Sequence, residues 1–131
     1  MSKRSIIGTA LAATATALAV FGVAGGAQAG GSSLIYSTNS QGVVLGSMSH
    51  MDDGDQFRVY DLEADGHGVR GTLQDAAGKV LATTYNGKGN GNYTYFFYDV
   101  VPDRSYKIIV CSVDGSNDTT GSYCGSKWID E

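Results

Sequence analysis

The sequence predicts an all-β domain, a β-sandwich of about seven strands, and three observations carry that expectation. Short segments show period-two alternation or are rich in β-branched and aromatic residues. Glycine-bearing turns separate them, and no stretch carries the helical stripe of an amphipathic α-helix. After a loose lead over 30–33, the first candidate strand runs from Leu34 to Ser37 and the second from Val43 to Ser49. Asp52, Asp53 and Gly54 then form a turn into Gln56 to Leu62, and Ala64, Asp65 and Gly66 form the next, into Gly68 to Asp75. Ala76, Ala77 and Gly78 lead into Lys79 to Tyr85. The glycine and asparagine run from Asn86 to Asn92, whose residues tolerate positive φ, leads into Tyr93 to Val100. The last two segments are Tyr106 to Val113 and Ser122 to Ile129, with Trp128 expected to close an edge of the sandwich.

The first 29 of the 131 residues read as an export signal. Lys3 and Arg4 form a basic head, Ile6 to Val23 an apolar stretch, and Ala27, Gln28 and Ala29 an A-x-A cleavage site. The apolar stretch is rich in Ala, Thr and Gly, whereas a membrane anchor needs about 20 strongly apolar residues. The expectation is therefore a secreted, monomeric domain over 34–131. Removing Lys3 and Arg4 from the 9 basic and 13 acidic residues leaves 7 against 13, a net charge of −6. Nucleic acid and anionic membranes reward clustered Lys and Arg, so neither is an expected partner. Export also permits a disulfide. Cys111 and Cys124 are the only two cysteines, and one intramolecular bridge between them is the economical reading.

The segment from Val100 to Val110 is the most specific. A hydrophobic residue stands two before Pro102, and Tyr106 follows four after it, opening an alternating strand. This resembles the E-to-F corner of fibronectin type III domains and the tyrosine corner of immunoglobulin-like sandwiches. The resemblance implies that Tyr106 packs inward with its hydroxyl tied to upstream backbone, that Ile108 and Val110 follow it into the core, and that Ile109, Cys111 and Val113 face the other way. A bridge from Cys111 needs Cα atoms within about 7 Å, so Ser122 to Ile129 should be the hairpin partner of this strand.

The mature chain also resembles a group of small secreted proteins of unknown function from Gram-positive soil bacteria. The shared features are a signal peptide, a strand ending in Asp61 followed by Ala64, Asp65 and Gly66, a Tyr-led strand from Tyr106 to Cys111, and a late Cys124. Many of the group carry a further cysteine just before the Asp, where this chain has Tyr60. The resemblance implies no activity.

No constellation points to catalysis. The histidines are two, His50 and His67, no G-x-S-x-G is present, and the thiols are expected to be oxidised. Asp61, Glu63, Asp65, Gly66 and Thr72 fall on positions of a calcium-loop template, but Thr72 stands where a bidentate Glu is needed and the flanks read as strands. A polar turn is the simpler reading there, as it is for Asp52, Asp53 and Asp55. No cofactor and no metal are expected. The better lead is aromatic. Alternation sends Phe96, Tyr98 and Val100 to one face and Tyr93, Tyr95 and Phe97 to the other. Because Val100 precedes the corner as an inward residue, the second set should form an exposed strip for an extracellular protein or a polysaccharide. A competing expectation is that neighbouring side chains or the N-terminal strand cover it. The function expected is thus a non-enzymatic binding module. The alternatives are a small secreted hydrolase or hydrolase inhibitor, and a carrier holding an apolar ligand between the open ends of the sheets.

Overall fold

A computed structural model describes residues 31–131, so the expected export signal and its expected cleavage site lie outside the described residues. Each of the eight segments read from the sequence forms a strand, one more than the expected count of about seven. They are β1 (Ser33–Thr38), β2 (Val44–Met51), β3 (Gln56–Asp61), β4 (Gly68–Asp75), β5 (Val80–Asn86), β6 (Tyr93–Phe97), β7 (Ser105–Val113) and β8 (Ser122–Asp130). Ser33, expected in the loose lead, already pairs with His50. No helix occurs among the described residues.

The strands form two antiparallel sheets of four, ordered β1-β2-β3-β6 and β5-β4-β7-β8. Hairpins join β1 to β2, β2 to β3, β4 to β5 and β7 to β8, while the other three connections pass from one sheet to the other. Period two explains the core. Ile35, Met48, Phe57 and Val59 from the first sheet meet Val69, Leu73, Tyr106, Ile108, Val110 and Ile129 from the second in one buried cluster, with Val100 beside them. Gly71 lets the sheets approach, because a Cβ there would stand 2.2 Å from the Val59 side chain and 2.9 Å from Met48 Sδ. The buried Asn86 side chain donates to the carbonyls of Val59 and Asn92 and accepts the Lys88 N–H, which ties the glycine run to the first sheet.

β6 stops at Phe97 rather than running to Val100, because its partner runs out. β3 begins at Gln56, and the preceding residue, Asp55, sits at φ 51° and turns the chain back. The Tyr98 N–H still donates to the Asp55 carbonyl, but the Val100 N–H donates to the Asp55 carboxylate and the chain crosses to the second sheet. There Val100 and Tyr106 are buried, and the Tyr106 hydroxyl accepts the Val101 N–H at 3.2 Å. Cys111 and Cys124 form a disulfide between β7 and β8, with Cα atoms 4.2 Å apart. Trp128 does not close an edge. It stands half-exposed on the outer side of β8, with Lys107 Nζ 5.6 Å from its ring centre.

Candidate functional site

The outer face of the first sheet is the aromatic surface. Tyr93, Tyr95 and Phe97 alternate outward from β6 and are 41%, 53% and 63% exposed. The N-terminal strand does not cover them, since β1 lies at the opposite edge of the sheet. The register sets Tyr93 opposite Tyr60, Tyr95 opposite Arg58 and Phe97 opposite Gln56. The rings are close, with centroid separations of 5.1 Å for Tyr60 and Tyr93, 6.4 Å for Tyr93 and Tyr95, and 5.6 Å for Tyr95 and Phe97. Their planes are tilted by 38°, 47° and 78° in that order. The Arg58 guanidinium lies 5.2 Å from the centre of the Tyr93 ring, a cation–π contact that also supplies a positive group to the patch. Further across, Ser47 is buried between Tyr36 and Tyr60, its neighbours in register, and Leu34 and Tyr36 are exposed on β1.

β6 is also an edge strand. The Asp61 N–H donates to the Asn92 carbonyl and the Tyr98 N–H to the Asp55 carbonyl, so hydrogen-bonded pairs fall on even-numbered residues of β6. The main-chain N–H and C=O groups of Tyr93, Tyr95 and Phe97 therefore point to the free edge. No Lys, Pro or bulge blunts it, which are the usual devices that keep an edge from pairing. The same three residues present aromatic rings on the face and unpaired backbone at the edge.

Alternation in the sequence assigns Tyr93, Tyr95 and Phe97 to one face, but Tyr36, Arg58 and Tyr60 join them only through the sheet. β3 and β6 are 33 positions apart at their closest paired residues, Tyr60 and Tyr93. No local signal could pair them.

The acidic turns differ from one another. Thr72 stands on the outer face of the second sheet, where its hydroxyl meets Thr83, whereas Asp61 is buried at the end of β3. The calcium-loop template does not assemble. Burial pushes the Asp61 carboxyl above its ordinary range, partly opposed by the Glu63 N–H that it accepts and reinforced by the neighbouring Asp65. A raised folded-state value means that the protonated acid fits the fold better. Stability from this group is full below the ordinary carboxylate range and falls as pH rises through the raised value. Relative to Asp61→Asn, the native protein is therefore expected to lose stability between about pH 4 and pH 7, read by urea melts at both pH values. A constant difference between the two proteins would contradict the assignment.

Near the end of β2, His50 is 2% exposed and stacks on Phe57, which stacks on Phe96. His50 Nε2 lies 3.0 Å from Asp55 Oδ1. His50 Nδ1 and Asp52 Oδ1 are buried without partners, a condition that costs about 1–3 kcal/mol for each such group. Asp52, Asp53 and Asp55 read as an ordinary turn in the sequence. The signal available in the sequence is the parity that turns His50 inward at the end of β2, beside the acidic turn.

A cavity of 280 Å³ lies on the outer face of the second sheet, lined by Thr72, Val80, Thr83, Ile109 and the disulfide. A smaller cavity of 180 Å³ lies at one end of the sandwich, where Asn39 and Leu45 face His67, Ser112, Asp114 and Tyr123. Compared with protein-family models, curated proteins and solved structures, the chain matches none.

Proposed function

We propose that the protein is a secreted, non-enzymatic binding module of immunoglobulin-like or fibronectin type III-like type that engages a partner protein through Tyr93, Tyr95 and Phe97. The type is supported by strand order. With β1 set aside, β2, β3 and β6 occupy the places of strands A, B and E, and β4, β7 and β8 those of C, F and G, with β5 added beside C. On that correspondence Tyr106 opens strand F. Secretion is supported by the disulfide and by the signal-like first 29 residues.

The observation that carries the functional reading is the coincidence of exposed rings and unpaired backbone on the same three residues. An extended segment of a partner could add to β6 by main-chain hydrogen bonds while its alternate side chains pack on the rings. A polysaccharide is the weaker candidate, because sugar rings stack face-on and the tilts of 38°, 47° and 78° leave no shared plane.

Mature protein on beads, incubated with the secreted proteins of its own culture and separately with cellulose and chitin, tests this. Tyr95→Ser is expected to abolish retention of a secreted protein. The same substitution should change stability by less than about 1 kcal/mol, because the ring is half-exposed and contributes little to the core. Loss of folding in the variant, or full retention by it, would overturn the role assigned to the strip. Binding to the polysaccharides alone would overturn the choice of a protein partner.

A further inference from the structure

Alternation carries His50 inward from β2 and Phe57 inward from β3, and Asp52 and Asp55 lie in the turn that joins the two strands. One donor atom from each of His50, Asp52 and Asp55 lies within 4.8 Å of the other two, and this is the only such group of three among the described residues. Proximity of carboxylates in a turn would mean little by itself. The second observation is the state of the buried histidine. The Asp55 carboxylate accepts from His50 Nε2–H at 3.0 Å, which favours that tautomer, while nothing in the fold partners Nδ1. A cation seated between His50 and Asp55 would take the place of the Nε2 proton, which moves to the free Nδ1 or leaves to solvent. Asp52 Oδ1 is likewise buried with no donor.

We propose that His50, Asp52 and Asp55 bind one divalent first-row transition ion, with Zn²⁺ as the best-fitting case. An imidazole nitrogen with two carboxylates suits such an ion and disfavours Ca²⁺ or Mg²⁺, which take oxygen shells. A cation held there gives Asp52 Oδ1 the partner it lacks. A tetrahedral shell with metal–ligand distances of about 2.1 Å places its donors about 3.4 Å apart. At its widest the cluster is thus about 1.4 Å wider than a loaded site, within the reach of side-chain rotation in a surface turn. Asp55 also accepts the Val100 N–H at 2.9 Å, so the ion would brace the crossover that carries the chain to the second sheet.

The test uses mature protein stripped with EDTA and then desalted, titrated with Zn²⁺, Mn²⁺ or Ca²⁺ by calorimetry, with imidazole ¹⁵N NMR during the Zn²⁺ titration. The expected result is one equivalent of Zn²⁺ bound, no heat from Ca²⁺, and a shift of the His50 ring nitrogens while those of His67 stay in place. Asp52→Asn should weaken Zn²⁺ binding by about tenfold or more, with an unchanged melting point in EDTA, and Asp53→Asn should bind as the native protein does. No Zn²⁺ binding, a shift at His67 instead of His50, or equal affinity in the two variants would overturn the assignment. The NMR arm reads the native protein, so it stands whether or not a variant folds.

Discussion

Tyr106→Ala is expected to destabilise the protein by about 3–5 kcal/mol, the range for deleting a core aromatic side chain. The ring is 3% exposed, belongs to the shared core of both sheets, and meets Tyr98 edge-on at 6.2 Å. Its hydroxyl accepts the Val101 N–H, so truncation also removes the partner of a backbone donor in the crossover. That crossover contains Asp103 at φ 67°, a conformation that ordinary side chains seldom adopt without support. Tyr106→Phe separates the two contributions. It keeps the ring and should cost about 1 kcal/mol, the net worth of one hydrogen bond. Lys107→Ala is the control from the opposite face, where an exposed cation–π contact with Trp128 limits the loss to about 1 kcal/mol. Urea denaturation of the four proteins decides the matter. Equal losses at positions 106 and 107 would mean that the ring is not an anchor of the core.

What was legible from the residues and what was not follows the range of the interactions. The segment from Tyr106 to Val113 could be read because its alternation is local, and the burial of Tyr106, Ile108 and Val110 matches that reading. The pairing of Cys111 with Cys124 was legible because only two cysteines exist and their strands are joined by a hairpin. The outward direction of Tyr95 followed from parity referred to Val100. Neighbours brought together by a crossover had no such trace. Tyr60 lies beside Tyr93 only because the chain leaves the first sheet after β3, forms β4 and β5 in the second, and returns. His50 and Asp55 are five residues apart, yet their contact depends on Asp55 adopting a positive φ, a conformation that Gly54 beside it would more readily suggest for itself. The early end of β6 has the same origin, since a strand's length depends on its partner as well as on its own residues.

Removing the disulfide is expected to cost about 3 kcal/mol and to act on β8 first. The bridge closes a short loop, with a sequence separation of 13, and the chain-entropy argument assigns about that value to a loop of this size. β8 depends on it more than its length suggests. Of its nine residues only Ile129 is buried, so the strand brings little apolar area to the core. Its other ties are the ladder to β7 and the contact with β1 across the sheets, where the Ser37 hydroxyl donates to the Tyr123 carbonyl at 2.7 Å and Gly125 lies against the Tyr36 carbonyl. Free-thiol titration of the denatured protein without reductant should find none. With Cys111→Ser and Cys124→Ser together, hydrogen exchange should accelerate most at the amides of β8 and the adjoining half of β7, while Phe57, Val59 and Leu73 lose only the protection that the global cost of about 3 kcal/mol removes. If protection fell equally across both sheets, the whole effect would lie in the unfolded state and β8 would have no special dependence on the bridge. If nothing changed, the hydrogen-bonded ladder and the contact with β1 would hold β8 without it.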